Sequence, residues 1–259
     1  MANNDTIKKT ITVTLLLCIV CSVVVSTAAV LLRPMQQMNQ ELDFKSNILA
    51  AAGLLDGEHS VDEIFESRVQ NRIVDLETGT FSEDVDPANY DQWKAARDPS
   101  RSMALSSGED IASISRRERY AEVFLVEDEN GDLETVVLPV RGYGLWSTLY
   151  GFMAVEADGN TVAGLTFYEH AETPGLGGEV DNPSWKAQWE GKKIYGDNGD
   201  VQLSVIKGSV SSSDPDAEHK VDGLSGATLT SKGVDGLVHF WLGDMGFKPF
   251  LKNLREGEA

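Results

Sequence analysis

A chain of 259 residues has room for one or two domains, and its formal net charge of −19 argues against binding nucleic acid through its phosphates. Residues 1–33 set Asp5 against Lys8, Lys9 and Arg33 and carry +2, so the remainder carries −21; such a domain is soluble and steered towards basic partner surfaces. Both cysteines, Cys18 and Cys21, lie in the apolar N-terminal stretch, and the four histidines, at 59, 170, 219 and 239, form no H-x-x-x-H pair, which leaves no disulfide or thiolate site beyond that stretch and disfavours a His-based zinc site.

Residues 11–32 run for 22 positions without a charge. At about 1.5 Å per residue they cross a bilayer core of roughly 30 Å. A signal peptide has an apolar region of only about 7–15 residues, so the length favours a retained anchor over cleavage at Val25-Ser26-Thr27-Ala28-Ala29. Lys8 and Lys9 before the span are balanced by Arg33 and Lys45 after it, and the positive-inside rule decides little. Residues 36–55 read as a helix continuing from the membrane, with Met38, Leu42, Ile48 and Leu49 at helical spacing. Another helix starts at Ser60, a cap with Glu63 three residues on. Residues 72–119, with Asp-Pro pairs at 86–87 and 98–99, read as irregular and loop-rich around a helix at 88–96.

From Ala121 the pattern turns to strands. Val123-Phe124-Leu125-Val126 and Thr135-Val136-Val137-Leu138 flank Asn130-Gly131, a hairpin signal. A second hairpin is predicted from Phe152-Met153-Ala154-Val155 to residues 162–168 through Asp158-Gly159-Asn160. A helix around 183–190 and a strand at 201–206 follow. Hairpins favour antiparallel pairing, so the fold class is α+β, an antiparallel sheet core with flanking helices. The predicted organisation is a tail at 1–10, a transmembrane helix at 11–32, a helical and loop-rich membrane-proximal region at 33–120, and a sheet domain at 121–259.

Three stretches carry chemistry. Gly142-Tyr143-Gly144-Leu145-Trp146-Ser147 begins like a dinucleotide loop, but no clear helix follows, so the Rossmann reading is weak. As a loosened strand end it offers the Trp146 face to a flat ring, or buries it at a bend. Glu172-Thr173-Pro174-Gly175-Leu176-Gly177-Gly178 is too rich in Gly and Pro for helix or strand. Such a loop brings backbone N–H groups and an apolar contact, Leu176, to a ligand, or is an ordinary tight turn. His170 before it reads as a structural hydrogen-bonder. Lys207 after the 201–206 strand reads as a surface lysine or as a cation for a phosphate or reduced ring.

The third stretch organises the chain. Val221-Asp222-Gly223-Leu224-Ser225-Gly226-Ala227-Thr228-Leu229-Thr230-Ser231 precedes Val234, Leu237, Val238 and Trp241 at helical spacing. Ser225 and Thr228 therefore stand where a helix begins, among N–H groups that attract phosphate; a plain N-cap is the simpler reading. Ser225 and the N–H groups of Gly226 and Ala227 suit a phosphate, whereas the charge of Asp222 does not. Gly223-Leu224-Ser225-Gly226-Ala227 nearly matches a nucleophile elbow, but Asp235 and His239 lie on the following helix, too close to complete a triad.

Asp222-Gly223-Leu224-Ser225-Gly226-Ala227-Thr228 matches D-x-x-[ST]-G-A-T, and on it the chain resembles the FMN-binding domain family. The single span, the run His170-Ala171-Glu172-Thr173-Pro174-Gly175-Leu176-Gly177, the signature, and the tail from Phe240-Trp241-Leu242-Gly243 to Arg255-Glu256-Gly257 are similar to the C-subunit family of Na+-translocating NADH:quinone reductases. The resemblance implies FMN joined by a phosphoester to Thr228 by a flavin transferase; Asp222, ill-suited to a phosphate, serves recognition by that enzyme or caps the turn. It implies that the loop with Glu172, Thr173, Gly175 and Leu176 lies against the ring; Trp146 and Lys207 join it as candidates on their own residue readings alone. It further implies an electron-transfer subunit in the inner membrane, with a cytoplasmic N-terminus, a periplasmic domain and other subunits as partners. The complex oxidises NADH, reduces ubiquinone and exports Na+; this chain has no NADH site or intramembrane acid, so no complete catalysis is its own. The alternatives are the G subunit of the related ion-motive electron transport complex, which shares the signature and the span, and a membrane-anchored module binding a free phosphate ligand. The long 34–120 region and the tail favour the quinone reductase.

Overall fold

The structure is a computed structural model and describes residues 6–55, 57, 59–211 and 213–259. It divides into two units, Met1–Asp43 and Phe44–Ala259. The first is the main part of helix α1 (Ile7–Ala51), a helix long and apolar enough to cross a membrane. Its apolar side chains, from Ile11 to Leu32, are exposed, as contact with lipid requires. Of the predicted tail at 1–10, residues 1–5 lie outside the described residues and residues 7–10 belong to the helix, which begins at Ile7. The helix predicted at 36–55 is the same helix, continued past Pro34 and ending at Ala51.

In the second unit, α2 (Val61–Arg68) is capped as predicted, with the Ser60 hydroxyl accepting from the Glu63 N–H. There follow β1 (Val69–Asp75), β2 (Thr80–Phe81), α3 (Gln92–Arg97), β3 (Ser102–Ala104), β4 (Arg116–Glu118), β5 (Tyr120–Glu127), β6 (Leu133–Tyr143), β7 (Thr148–Glu156) and β8 (Val162–Glu169). The chain ends with α4 (Pro183–Lys186), β9 (Ser204–Val205), β10 (Lys220–Val221), α5 (Thr228–Trp241) and α6 (Lys248–Glu256). The main sheet is antiparallel, in the order β2-β1-β5-β6-β7-β8. Both predicted hairpins are present, with Gly131 at φ 87° and Gly159 at φ 64° in the left-handed region their turns require.

Both faces of the sheet are covered. Val136, Leu138, Val140, Met153 and Leu165 face a core completed by Val234, Leu237, Val238 and Trp241 of α5. Val137, Phe124, Phe152 and Ala154 face the other way, against Ile48 and Ala51 at the end of α1. Two-sided burial explains why β6 reads as a continuous apolar run and not as an alternation.

Two sequence expectations differ from the structure. Residues 33–120 contribute more than helix and loop: β1 pairs with β5 from Val69↔Val126 to Asp75↔Tyr120 inside the main sheet. Gln70, Asn71 and Arg72 hide this strand in the sequence, because only Val69, Ile73 and Val74 of its seven residues are apolar. The strand predicted at 201–206 shrinks to β9, which pairs in parallel with β10 in a separate two-stranded ribbon. This ribbon delivers the chain into residues 222–228.

Candidate functional site

Residues 144–147 connect β6 to β7 in a tight turn closed by the Gly144 N–H donating to the Ser147 carbonyl, 2.9 Å. The turn leaves Trp146 65 % exposed. No helix follows, so the dinucleotide-loop reading is dropped. The chain leaving β8 forms the second loop. There the Thr173 carbonyl accepts from the Leu176 and Gly178 N–H groups, at 3.1 and 2.9 Å, so those two donors serve the turn itself. Gly175, at φ 75°, allows the reversal and leaves Leu176 45 % exposed. Thr173 is exposed.

The third segment runs from β10 into α5. Ala227 occupies the N-cap and supplies no side-chain cap, so neither Ser225 nor Thr228 has the capping role. The Ala227 N–H donates to the Leu224 carbonyl, 3.1 Å, and is thereby engaged in the turn. The hydroxyls of the signature divide into two classes. Thr230 and Ser231 are buried: Thr230 Oγ1 donates to Glu172 Oε2 at 2.7 Å, and Ser231 Oγ accepts from the Leu224 N–H at 2.9 Å. Ser225 and Thr228 are exposed. Gly226, at φ 74°, is exposed, and a Cβ there would lie 3.1 Å from Leu176 Cδ2, which puts the signature turn against the second loop.

Glu172 joins all three segments. Its Oε1 accepts from the N–H groups of Leu145, Trp146 and Ser147, at 3.0, 2.8 and 3.3 Å, while Oε2 takes the Thr230 hydroxyl. Burial would raise the carboxyl pKa, but these four donors outweigh it and hold the group below the usual carboxylate range. His170 is structural, as predicted: Nε2 meets Asp181 Oδ2 at 2.8 Å and Nδ1 accepts from the Glu172 N–H at 3.2 Å. Asp222 ties down the neighbouring loop, its Oδ1 accepting from the Val210 N–H at 2.7 Å. Lys207 is exposed on a segment bonded to the signature's approach: the Ile206 N–H donates to the Val221 carbonyl and the Gly223 N–H to the Gly208 carbonyl, both at 2.9 Å. Asp235 and His239 serve β9, through the Val205 N–H and the Ser204 hydroxyl, and form no triad.

Thus Trp146, Glu172, Thr173, Gly175, Leu176 and the signature, dispersed in sequence, are brought to one place, with Lys207 on the segment alongside. Sequence reading missed Thr230 as a member and missed the glycines of α5. Gly233 lies on the Tyr143 carbonyl, and a Cβ there would also come within 3.0 Å of Gly144 Cα. The replacement Gly233→Ala should favour an isolated helix by about 1 kcal/mol. We expect it instead to destabilise the protein by about 1–3 kcal/mol, because backbone lies where the methyl must go. A denaturant titration of the full chain in detergent, with equal or higher stability for the variant, would refute that contact.

Comparison with known proteins adds to this geometry. Residues 144–243 match the FMN-binding domain family, from the turn that carries Trp146 to just beyond the end of α5. Over 262 aligned residues the chain is 58 % identical to the C subunit of the Na(+)-translocating NADH-quinone reductase of Pseudomonas aeruginosa, with 100 % of each chain covered. The chain belongs to this C-subunit family. The Vibrio alginolyticus member is 51 % identical, over 99 % of this chain and 98 % of its own. Among solved structures, that of Shewanella oneidensis NqrC is 38 % identical with a TM-score of 0.76, covering 83 % of this chain and 97 % of its own. The C subunit from Parabacteroides distasonis is 29 % identical with a TM-score of 0.66, covering 85 % and 96 %. The α+β sheet domain behind an apolar helix is therefore the fold of this family, and the chain is one subunit of a multi-subunit oxidoreductase.

Proposed function

We propose that the chain is an electron-transfer subunit that carries FMN on Thr228 through a phosphoester, within a Na+-translocating NADH:ubiquinone reductase. The observation that carries the reading is the division of the signature hydroxyls: Thr230 and Ser231 are buried and bonded, whereas Thr228 is exposed in the first turn of α5. The surroundings suit the group. The start of α5 has no side-chain cap competing for its N–H groups, which favours a phosphate. Exposed Trp146 and Leu176 suit a flat apolar ring.

FMN, when bound, supplies one- and two-electron transfer, and the protein supplies its position. Thr228 Oγ provides the ester oxygen, in a reaction left to a flavin transferase. Ser225 and the Gly226 backbone border the phosphate, while Thr173, Gly175, Leu176 and Trp146 border the ring. Asp222 holds the signature in the shape a transferase reads, and Lys207 adds a positive charge to an acidic domain. The other subunits provide the NADH site, the quinone site and the Na+ path.

Protein purified from its own membranes tests this reading. After denaturation in hot acid the flavin stays on the chain; release of all flavin would support the module that binds a free phosphate ligand. The domain following the span is proposed to lie on the periplasmic side. Protease added to intact spheroplasts then digests it, and protection there with digestion in inverted vesicles would reverse the orientation.

A further inference from the structure

We propose that Glu172 and Thr230 form a latch that sets Trp146 relative to Thr228, which makes both of them positioning residues for the flavin ring. The proposal rests on the reading of Thr228 as the attachment site.

The two ends of the cofactor would be held by segments far apart in the chain: the phosphate by the start of α5, the ring by the turn after β6. One side chain bridges them. Glu172 Oε1 gathers three successive N–H groups, Trp146 giving the shortest bond at 2.8 Å, and Oε2 takes the Thr230 hydroxyl at 2.7 Å. Hydrogen bonds to a carboxylate are roughly twice as strong as neutral ones. Thr230 follows Thr228 by two residues in the same helical turn, so anchoring one fixes the other.

The latch is dry and close-fitting. Glu172 is 5 % and Thr230 1 % exposed. Backbone presses on it from two sides: a Cβ on Gly177 would lie 2.5 Å from Thr230 Oγ1 and 2.6 Å from Glu172 Oε2, and one on Gly144 would lie 2.6 Å from Glu172 Oε1. A carboxylate oxygen left unpaired there is costly, so loss of the Thr230 hydroxyl disturbs the whole bridge. The same bond explains the choice of acceptor. Thr230 is a second threonine in the first turn of α5, yet its oxygen is buried against Glu172 and closed to modification.

The test uses the full-length chain in detergent, carrying Thr230→Val or Thr230→Ser, each with and without flavin. In the flavin-free chain, amide exchange at residues 145–147 should rise about tenfold in Thr230→Val, as expected for a lost bond to a charged group, and return to within about twofold of wild type in Thr230→Ser. In the flavin-loaded chain, intact mass should show one covalent flavin in both variants, and peptide mass mapping should place it on Thr228. Flavin emission should rise in Thr230→Val, because an aromatic ring in contact quenches it, and should recover in Thr230→Ser. Wild-type exchange at 145–147 in Thr230→Val would overturn the latch. Faster exchange with unchanged emission would overturn its role towards the ring. A wild-type chain without covalent flavin would sink the attachment reading instead, and the flavin-free exchange would still uphold or overturn the latch.

Discussion

If FMN is held on Thr228 as proposed, replacing Thr228 with Ala should remove all covalently held flavin from the chain and leave the fold in place. The ester requires a hydroxyl oxygen that an enzyme can reach. Of the four hydroxyls between residues 225 and 231, two are buried and bonded, Thr230 to Glu172 and Ser231 to the Leu224 N–H. Ser225 remains as the other exposed one. It stands ahead of the helix, whereas Thr228 is the first residue of α5. Ser225→Ala should therefore keep the flavin. The cost to stability is small, because Thr228 is exposed and Ala227, not Thr228, is the cap. Such surface changes stay within about 0.5 kcal/mol. In-gel fluorescence after denaturing electrophoresis, with intact mass as a check, reads the result. A Thr228→Ala band that still fluoresced would place the flavin elsewhere.

The second large effect is on folding. Glu118 is fully buried, and Arg141 Nη2 donates to its Oε2 at 2.7 Å and to the Arg116 carbonyl at 2.9 Å. Burial pushes the Glu118 carboxyl up, and the Arg141 charge beside it pulls it back towards the ionised form. Arg141 also lies over the Trp93 ring, 5.1 Å from its centroid, and its carbonyl accepts from Trp241 Nε1 at 2.7 Å. Arg141→Met removes the counter-charge bonded to Glu118 and leaves its carboxylate in the interior with only the weaker influence of Arg117. Breaking a buried pair in this way costs about 3–5 kcal/mol, a large part of the roughly 5–15 kcal/mol that holds a domain together. The double variant Arg141→Met with Glu118→Leu should recover most of that loss, since it removes the stranded charge as well. Denaturant midpoints of the full chain measure both. A single variant as stable as wild type would mean that the pair contributes nothing.

Arg141 lies on β6 just before the turn that carries Trp146, and Trp241 ends α5, which Thr228 begins. The Trp241 bond to the Arg141 backbone carbonyl thus ties one end of the helix to the sheet, while the Thr230 bond to Glu172 ties the other end.

Features that depend on local order were legible from the residues alone. A helix long and apolar enough to cross a membrane follows from the 22 uncharged residues at 11–32. Both hairpins follow from Asn-Gly and Asp-Gly-Asn signals that favour one turn geometry. The start of α5 follows from apolar spacing after a hydroxyl-rich turn, and the match to the FMN-binding domain family rests on seven contiguous residues. Features that depend on partners far along the chain emerged only in the folded protein. β1 is a strand because β5 supplies its hydrogen bonds; its own polar sequence does not demand it. Glu172 reads in the sequence as a cofactor contact. In the fold its carboxylate is filled by Leu145, Trp146, Ser147 and Thr230. Thr230 and Thr228 are the same chemical group two residues apart; the signature match singles out Thr228, and the fold adds that Thr230 is buried against Glu172. Sequence states which groups are present; whether a given oxygen meets solvent or a buried partner is settled when three distant segments close on one carboxylate.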